Sequence, residues 1–423
     1  MSGSLPVANS SVTVERPYRS TRYRLINWGG TFLRFVGVPL APLEETTLLA
    51  EAQRTTGLED FGDENFRVPL HILLDSLNKE ANLNFMGRTI LQKYILQLLI
   101  NRLKIQEELT NNPEIAKVEI KDPLFILGLP RSGTTLLHNL LCQDSSSRWL
   151  HLWEMYNPCP PPDYATRETD PRIEEAEKLV TLFNALAPQL ATIHSLDHNA
   201  PEECNVLFEH CLAGILFELR TNIPSYSEWL FNQDLLDSYR YYRQQLQLFS
   251  SKWSGRWVLK APFHLNYLSS LITVFPDARI IYTHRNPLKV LPSLCSLSAS
   301  IRGIYTDELD FQAIGQHWFN WLAKATEKSM QMRQSIPAHQ IYDLNYPDLV
   351  SDPTETVRQI YEYFGYEFNS DLENNLKQYM TQNPQHKHGV HRYSLEQFGL
   401  EANKVAQTFE NYCLKFNLSS ETK

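Results

Sequence analysis

The stretch Pro123-Leu-Phe-Ile-Leu-Gly-Leu-Pro-Arg-Ser-Gly-Thr-Thr-Leu-Leu-His-Asn-Leu-Leu-Cys142 changes character twice within twenty residues. Pro123–Gly128 is a short continuous apolar run, the pattern of a strand buried on both faces. From Thr134 the leucines recur at helical spacing. Between them lies Gly128-Leu-Pro-Arg-Ser-Gly-Thr-Thr135, so the segment reads strand, loop, helix. Glycines at this spacing let a backbone close around an anion, and the N–H groups of the following helix, with its dipole, bind phosphate. The nucleotide-triphosphatase version of such a loop carries Lys after the second glycine. Here that position is Thr134, and the cation, Arg131, sits inside the loop. A guanidinium fork there suits a donor whose leaving phosphate must be neutralised while a neighbouring bond breaks. The pattern is short, and a strand-turn-helix that merely carries two glycines has the same letters.

Three further strands are predicted outward from this loop: Arg256–Lys260, Ala278–Arg285 and Gln340–Tyr346. Each precedes a segment of helical period. After the third, Ser351, Asp352 and Pro353 supply a capping side chain and a proline at the first helical position. Strands alternating with helices imply an α/β domain with a mostly parallel sheet. Residues ~44–110 read as helical, with Leu70, Leu73, Leu74 and Leu77, then Leu91, Ile95, Leu98 and Leu99, at three- and four-residue steps. The expected organisation is a disordered tail at 1–20 and a helical N-terminal segment packed on the core at 21–120. The α/β domain follows at 121–415, with a helical insertion at about 160–250.

The chain has 423 residues, is 43% apolar and carries a net charge of −9, which argues against a nucleic-acid partner. Its six cysteines form no CxxC pair, so reduced thiols are expected. Neither a signal-peptide pattern nor a long apolar run is seen, and a cytoplasmic protein is the expectation. Leu25–Leu40 is rich in aromatics. Packing onto the body is expected over contact with a membrane surface, because basic residues within that window are few.

Several motifs, in order, resemble those of sulfotransferases that use 3′-phosphoadenosine 5′-phosphosulfate, above all the branch with a helical N-terminal extension that is similar to tyrosylprotein sulfotransferases. The resemblance spans roughly residues 50–415. Pro130-Arg-Ser-Gly-Thr-Thr135 resembles the 5′-phosphosulfate loop, which places Arg131, Ser132, Gly133, Thr134 and Thr135 on the donor. Arg285 and Ser293, eight residues apart, resemble the 3′-phosphate motif. Arg285 leaves a strand where ligands bind in such sheets, and Ser293 lies about two turns into the next helix. Tyr346-Pro-Asp-Leu349 resembles a motif whose tyrosine lies near the adenine. Lys387-His388-Gly389 resembles the late basic loop that closes over the 3′-phosphate. The resemblance implies a P-loop-containing, sulfotransferase-like three-layer α/β sandwich with a parallel sheet. It also implies sulfuryl transfer to a hydroxyl or amine, and no metal.

Such transfer needs a base for the acceptor proton and cations for the leaving oxygen. Arg131 is one cation; Lys260, at a strand end, matches a lysine that steadies the transferring group. Two bases are open. Glu154, in Trp153-Glu-Met-Tyr-Asn-Pro158, resembles the tyrosylprotein branch's glutamate, and its apolar neighbours are expected to raise its pKa. His264 resembles the cytosolic members' histidine, but its spacing from Lys260 is longer than in that family. Asp197-His-Asn-Ala-Pro-Glu-Glu203 is a candidate for the acceptor pocket. His386, His388 and His391 lack the companions of a metal site. The acceptor (a small molecule, lipid or glycan) is not specified by the motifs. A P-loop phosphotransferase and a non-catalytic nucleotide-binding module are the alternatives, the first weakened by the absent lysine.

Overall fold

In the computed structural model, residues 21–35, 41–186, 199–384 and 393–418 are described. Five strands form one parallel sheet in the order β2-β3-β1-β4-β5: β1 Leu124–Gly128, β2 Ser147–Arg148, β3 Arg256–Lys260, β4 Arg279–His284 and β5 Ile341–Asn345. Four coincide, to within a residue or two, with the predicted strands. β2 has two residues and was not predicted, because a pair of residues shows no period. It lies parallel to β3, with Ser147 opposite Arg256.

The pleat of β1 sorts its apolar run onto two faces. Leu124 and Ile126 join a cluster with Leu137, Leu140, Val357 and Ile360. Phe125 and Leu127 join the larger cluster, together with Leu70, Leu91 and Ile95 of the N-terminal helices. Helices therefore cover both faces of the sheet. This is the three-layer α/β sandwich that the motifs imply.

The N-terminal helices are α1 Thr21–Phe35, α2 Glu45–Thr56, α3 Arg67–Lys79 and α4 Phe85–Asn111. Their buried leucines are continuous with the sheet's core, so they are part of its packing. α5 Thr134–Leu141 follows the glycine loop; α6 Leu152–Tyr156 and α7 Arg172–Leu186 follow β2. The described part of 160–250 is helical, with further helices at Asn205–Glu209, Leu216–Arg220, Pro224–Asn232 and Leu236–Ser250. After β5 a short helix, Tyr346–Ser351, comes before the predicted one. The latter starts at Pro353, with the Asp352 carboxylate accepting from the Glu355 N–H at 2.9 Å.

Candidate active site

Four chain segments leave the sheet at its carboxyl edge, where open α/β sheets bind ligands. The glycine loop follows β1, Lys260 ends β3, Arg285 follows β4, and Tyr346 follows β5. Topology alone gathers residues more than 200 positions apart.

The loop's conformation depends on its glycines. Gly128 has φ 144°, and a Cβ there would lie 2.2 Å from the Thr283 carbonyl oxygen. Gly133 has φ 87°, and its Cβ would press on Leu349 and the Tyr346 ring at 2.9 Å. Arg131 has φ 67° although it carries a side chain. That conformation costs about 1–2 kcal/mol and persists where surrounding bonds fix it. Arg285 Nη1 donates to the Arg131 carbonyl oxygen at 2.7 Å, and Arg131 Nε donates to Ser293 Oγ at 3.2 Å. The two arginines and the serine, predicted from separate motifs, thus converge. Burial lowers the Arg131 pKa, and neighbouring Arg285 lowers it further, while Tyr393 and Glu203 act in the opposite sense. Such a desolvated cation interacts strongly with an anion brought beside it.

The other donor residues sort by depth. Ser132 turns inward, its hydroxyl donating to the Leu129 carbonyl at 2.5 Å and lying 2.6 Å from Thr283 Oγ1. Gly133, Thr134, Thr135, Arg285 and Tyr346 line a cavity of about 850 Å³ together with Arg131. The Arg285 guanidinium lies 3.9 Å from the centre of the Tyr346 ring, a cation–π contact. Lys387, His388 and Gly389 lie outside the described residues, as do His386 and His391. Among the described residues no group of His, Cys, Asp and Glu is arranged to hold a metal ion.

Lys260 is buried, and its ammonium meets Glu203 Oε1 at 2.6 Å. The Glu202–Cys204 segment lies over the strand ends: Glu202 N–H donates to Leu150 at 2.8 Å, and Cys204 N–H to the Lys260 carbonyl at 3.0 Å. Glu203 takes a second bond, from Asn205 Nδ2, at 2.6 Å. Glu202 and Glu203 both line the cavity. Burial raises the Glu202 pKa, Lys260 opposes that, and Glu203 adds to it.

Neither expected base lines that cavity. Glu154 is fully buried, 2.7 Å from Arg148, which is sandwiched against Trp253 and Trp257. Its other oxygen accepts from the His151 N–H at 3.2 Å, closing the first turn of α6. The expected rise in its pKa is corrected. Burial pushes the value up, but Arg148 and His151 outweigh it and hold the carboxyl below the ordinary range. The apolar neighbours were legible in the sequence; the arginine was not. His264 is buried among Phe125, Phe208, Tyr239 and Tyr242, its Nδ1 2.7 Å from the Tyr239 hydroxyl. Burial lowers its pKa to about 3.

The rest of the cavity is mostly apolar. Its walls include Phe183 of α7, Val206 and Leu216 from the insertion, and Leu294, Leu297 and Ile301 of the helix Pro287–Tyr305. The insertion and the segment after 294 were the predicted acceptor walls. α4 adds a wall that was not predicted, through Ile90, Leu91, Tyr94 and Gln97. A polar spot within it, Arg220, is neutralised by Glu209 at 2.5 Å.

The glycine loop, the two arginines and the strand ends all lie within residues 123–370, which match the model of the Sulfotransferase family, over half of the chain. The chain belongs to the sulfotransferase family. Among solved structures it is 32% identical to the sulfotransferase STF1 of Mycobacterium tuberculosis H37Rv, with a TM-score of 0.78 over 87% of this chain and 98% of that one. It is 25% identical to the sulfotransferase STF9 of Mycobacterium avium, with a TM-score of 0.83 over 89% and 98%. A curated relative from Mycobacterium bovis, omega-hydroxy-beta-dihydromenaquinone-9 sulfotransferase Stf3, is 24% identical over 330 residues, covering 75% of this chain and 82% of the relative. The sulfotransferase therefore shares its fold with STF1 and STF9 over 87% and 89% of its chain. Among its described residues, no helix is long and apolar enough to cross a membrane.

Proposed function

We propose that this sulfotransferase moves a sulfuryl group from 3′-phosphoadenosine 5′-phosphosulfate to a hydroxyl on an apolar, chain-like acceptor. The observation that carries the reading is one cavity in which Arg131, Arg285 and Glu203 share walls with a long run of aliphatic and aromatic side chains. The donor's 5′-phosphosulfate lies on Gly133, Thr134 and Thr135 at the start of α5, with Arg131 beside it. Arg285 and Ser293 take the 3′-phosphate, and Tyr346 lies by the adenine. The apolar walls receive the acceptor. The relative Stf3, an omega-hydroxy-beta-dihydromenaquinone-9 sulfotransferase, supports an acceptor of this class.

In the reaction, the acceptor oxygen attacks sulfur in line. The S–O bond to the 5′-phosphate breaks, and 3′-phosphoadenosine 5′-phosphate leaves. Glu203 is the base we favour over Glu154 and His264. It lines the cavity, sits close enough to raise the Arg131 pKa, and its Oε1 lies 2.6 Å from the Lys260 ammonium. When Glu203 takes the proton its pull on Lys260 falls, and the ammonium is freed for the charge developing on the leaving oxygen. Labelled donor supplied with a long-chain isoprenoid alcohol or with a simple sugar tests the reading. Transfer to the isoprenoid alcohol is expected. Transfer to the sugar alone would overturn the apolar-acceptor reading, and no transfer to any hydroxyl or amine compound would overturn the activity.

A further inference from the structure

Helix α1 packs one face on the protein and turns an apolar face to solvent. Tyr23, Asn27 and Gly30, spaced four and three residues apart, form the inner face. The Tyr23 hydroxyl donates to the Ile304 carbonyl, and Asn27 Oδ1 accepts from the Met86 N–H at 2.9 Å. Gly30 lies so close to Phe85 that a Cβ would overlap the ring. Leu25, Trp28 and Phe32, spaced three and four residues apart, form the opposite face. They are 62%, 72% and 55% exposed, and Trp28 stacks on Phe32 with ring centroids 6.4 Å apart. A helix of a globular domain usually turns charge to solvent on the side away from the core.

The sequence around this face carries charge of one sign. Residues 16–43 contain five arginines, Arg16, Arg19, Arg22, Arg24 and Arg34, and no Asp or Glu, in a chain whose net charge is −9. The window Leu25–Leu40 holds only one of these, so the excess shows only when the flanking residues are included. An aromatic stripe flanked by arginines is the composition of a helix that lies in the interface of an anionic bilayer. Placement agrees. α1 rests on the start of α4 and the end of the helix Pro287–Tyr305, and both helices wall the cavity, through Ile90 and Leu91 and through Ile301 and Tyr305.

We propose that α1 docks the protein on an anionic membrane surface, with Leu25, Trp28 and Phe32 entering the headgroup layer and the exposed Arg24 pairing with lipid phosphate. An acceptor dissolved in the bilayer then has its entry beside α4. That purpose rests on the apolar-acceptor reading; the docking does not, because it is measured without donor or acceptor.

The test is co-sedimentation of the full chain with phosphatidylcholine vesicles, pure or containing about 30% phosphatidylglycerol, at low and high salt. Binding to the anionic vesicles that weakens with salt is expected. The double variant Trp28→Ala/Phe32→Ala should weaken it by about tenfold or more, and Arg24→Glu should weaken it severalfold. All three side chains are exposed, and an unchanged melting temperature certifies that each variant is folded. Absence of binding to both vesicle types overturns the proposal, as does binding that the folded double variant retains. If the free protein is a dimer that the double variant dissociates, with no vesicle binding, the face belongs to a second copy and the proposal fails.

Discussion

Two ion pairs of nearly equal length, each with a buried cation, sit at the carboxyl ends of neighbouring strands. Lys260 and Glu203 are 2.6 Å apart at the end of β3, and Arg148 and Glu154 are 2.7 Å apart at the end of β2. They differ in access. Glu203 lines the cavity that also holds Arg131, whereas Glu154 is fully buried against an arginine that packs on tryptophans. A carboxylate that must exchange a proton with a substrate needs the first setting. One that must hold a chain turn in place is served by the second. The ion pair itself does not mark a site; its opening to a cavity does.

The largest effect expected from this contrast is on turnover. Glu203→Gln should lower the rate under saturating donor by about 10²–10⁴-fold, the usual worth of a positioned base. Glu154→Gln should leave the turnover of folded protein within a few-fold of the parent. A reversal of the two would move the base to the sealed pair.

Next in size is stability. Arg148→Ala strands a buried carboxylate and should cost about 3–5 kcal/mol, read by denaturant unfolding, while folded protein still binds donor. A loss below about 1 kcal/mol would mean that Glu154 is reached by water.

The same pair should give a smaller, pH-dependent signature. Glu154 titrates below its ordinary 4.5 in the folded state, so its contribution is present above that pH and lost as pH falls through the lowered value. Glu202 has the opposite sign. Its pKa is raised, so it costs stability as pH climbs from 4.5 through the raised value. Unfolding free energies measured on Glu154→Gln and Glu202→Gln should therefore lose the acid-side and the neutral-side slope, respectively. Matching slopes in both variants would contradict the assignment.

The smallest effect is predicted at Ser293. Its hydroxyl holds Arg131 Nε by a single bond of 3.2 Å, so Ser293→Ala should weaken donor binding by about three- to tenfold in titration calorimetry. An unchanged affinity would separate Ser293 from the donor.

Much of the fold was legible because it rests on local chemistry. The apolar run of β1, the two glycines and the Asp352-Pro353 helix start each carry their signal within a few residues. Arg285 and Ser293 were legible as a pair through their resemblance to the 3′-phosphate motif, with which a strand end and two helical turns agree. What escaped depended on contacts distant in sequence or on elements too short to show a period. The Arg148 that reverses the Glu154 pKa shift belongs to a two-residue strand. α4 reads as a core helix by its leucines, and nothing in its period tells that Ile90, Tyr94 and Gln97, which precede the glycine loop by more than 30 residues, face the cavity. Glu202 and Glu203 were seen as a weak acceptor-side cluster. Their place over the end of β3 comes from backbone bonds to Leu150 and Lys260, which no spacing encodes.

The central claim is that the loop Gly128–Thr135 and Arg285 form the two halves of one site for a 3′-phosphorylated nucleotide. Titration calorimetry of the protein and of Arg285→Ala with 3′-phosphoadenosine 5′-phosphate and with adenosine 5′-phosphate tests it most directly. The account predicts one nucleotide bound per chain, a loss of about 2 kcal/mol or roughly thirtyfold on substitution for the bisphosphate, and little loss for the monophosphate. Absence of binding by folded protein, or equal losses for both nucleotides, would contradict it.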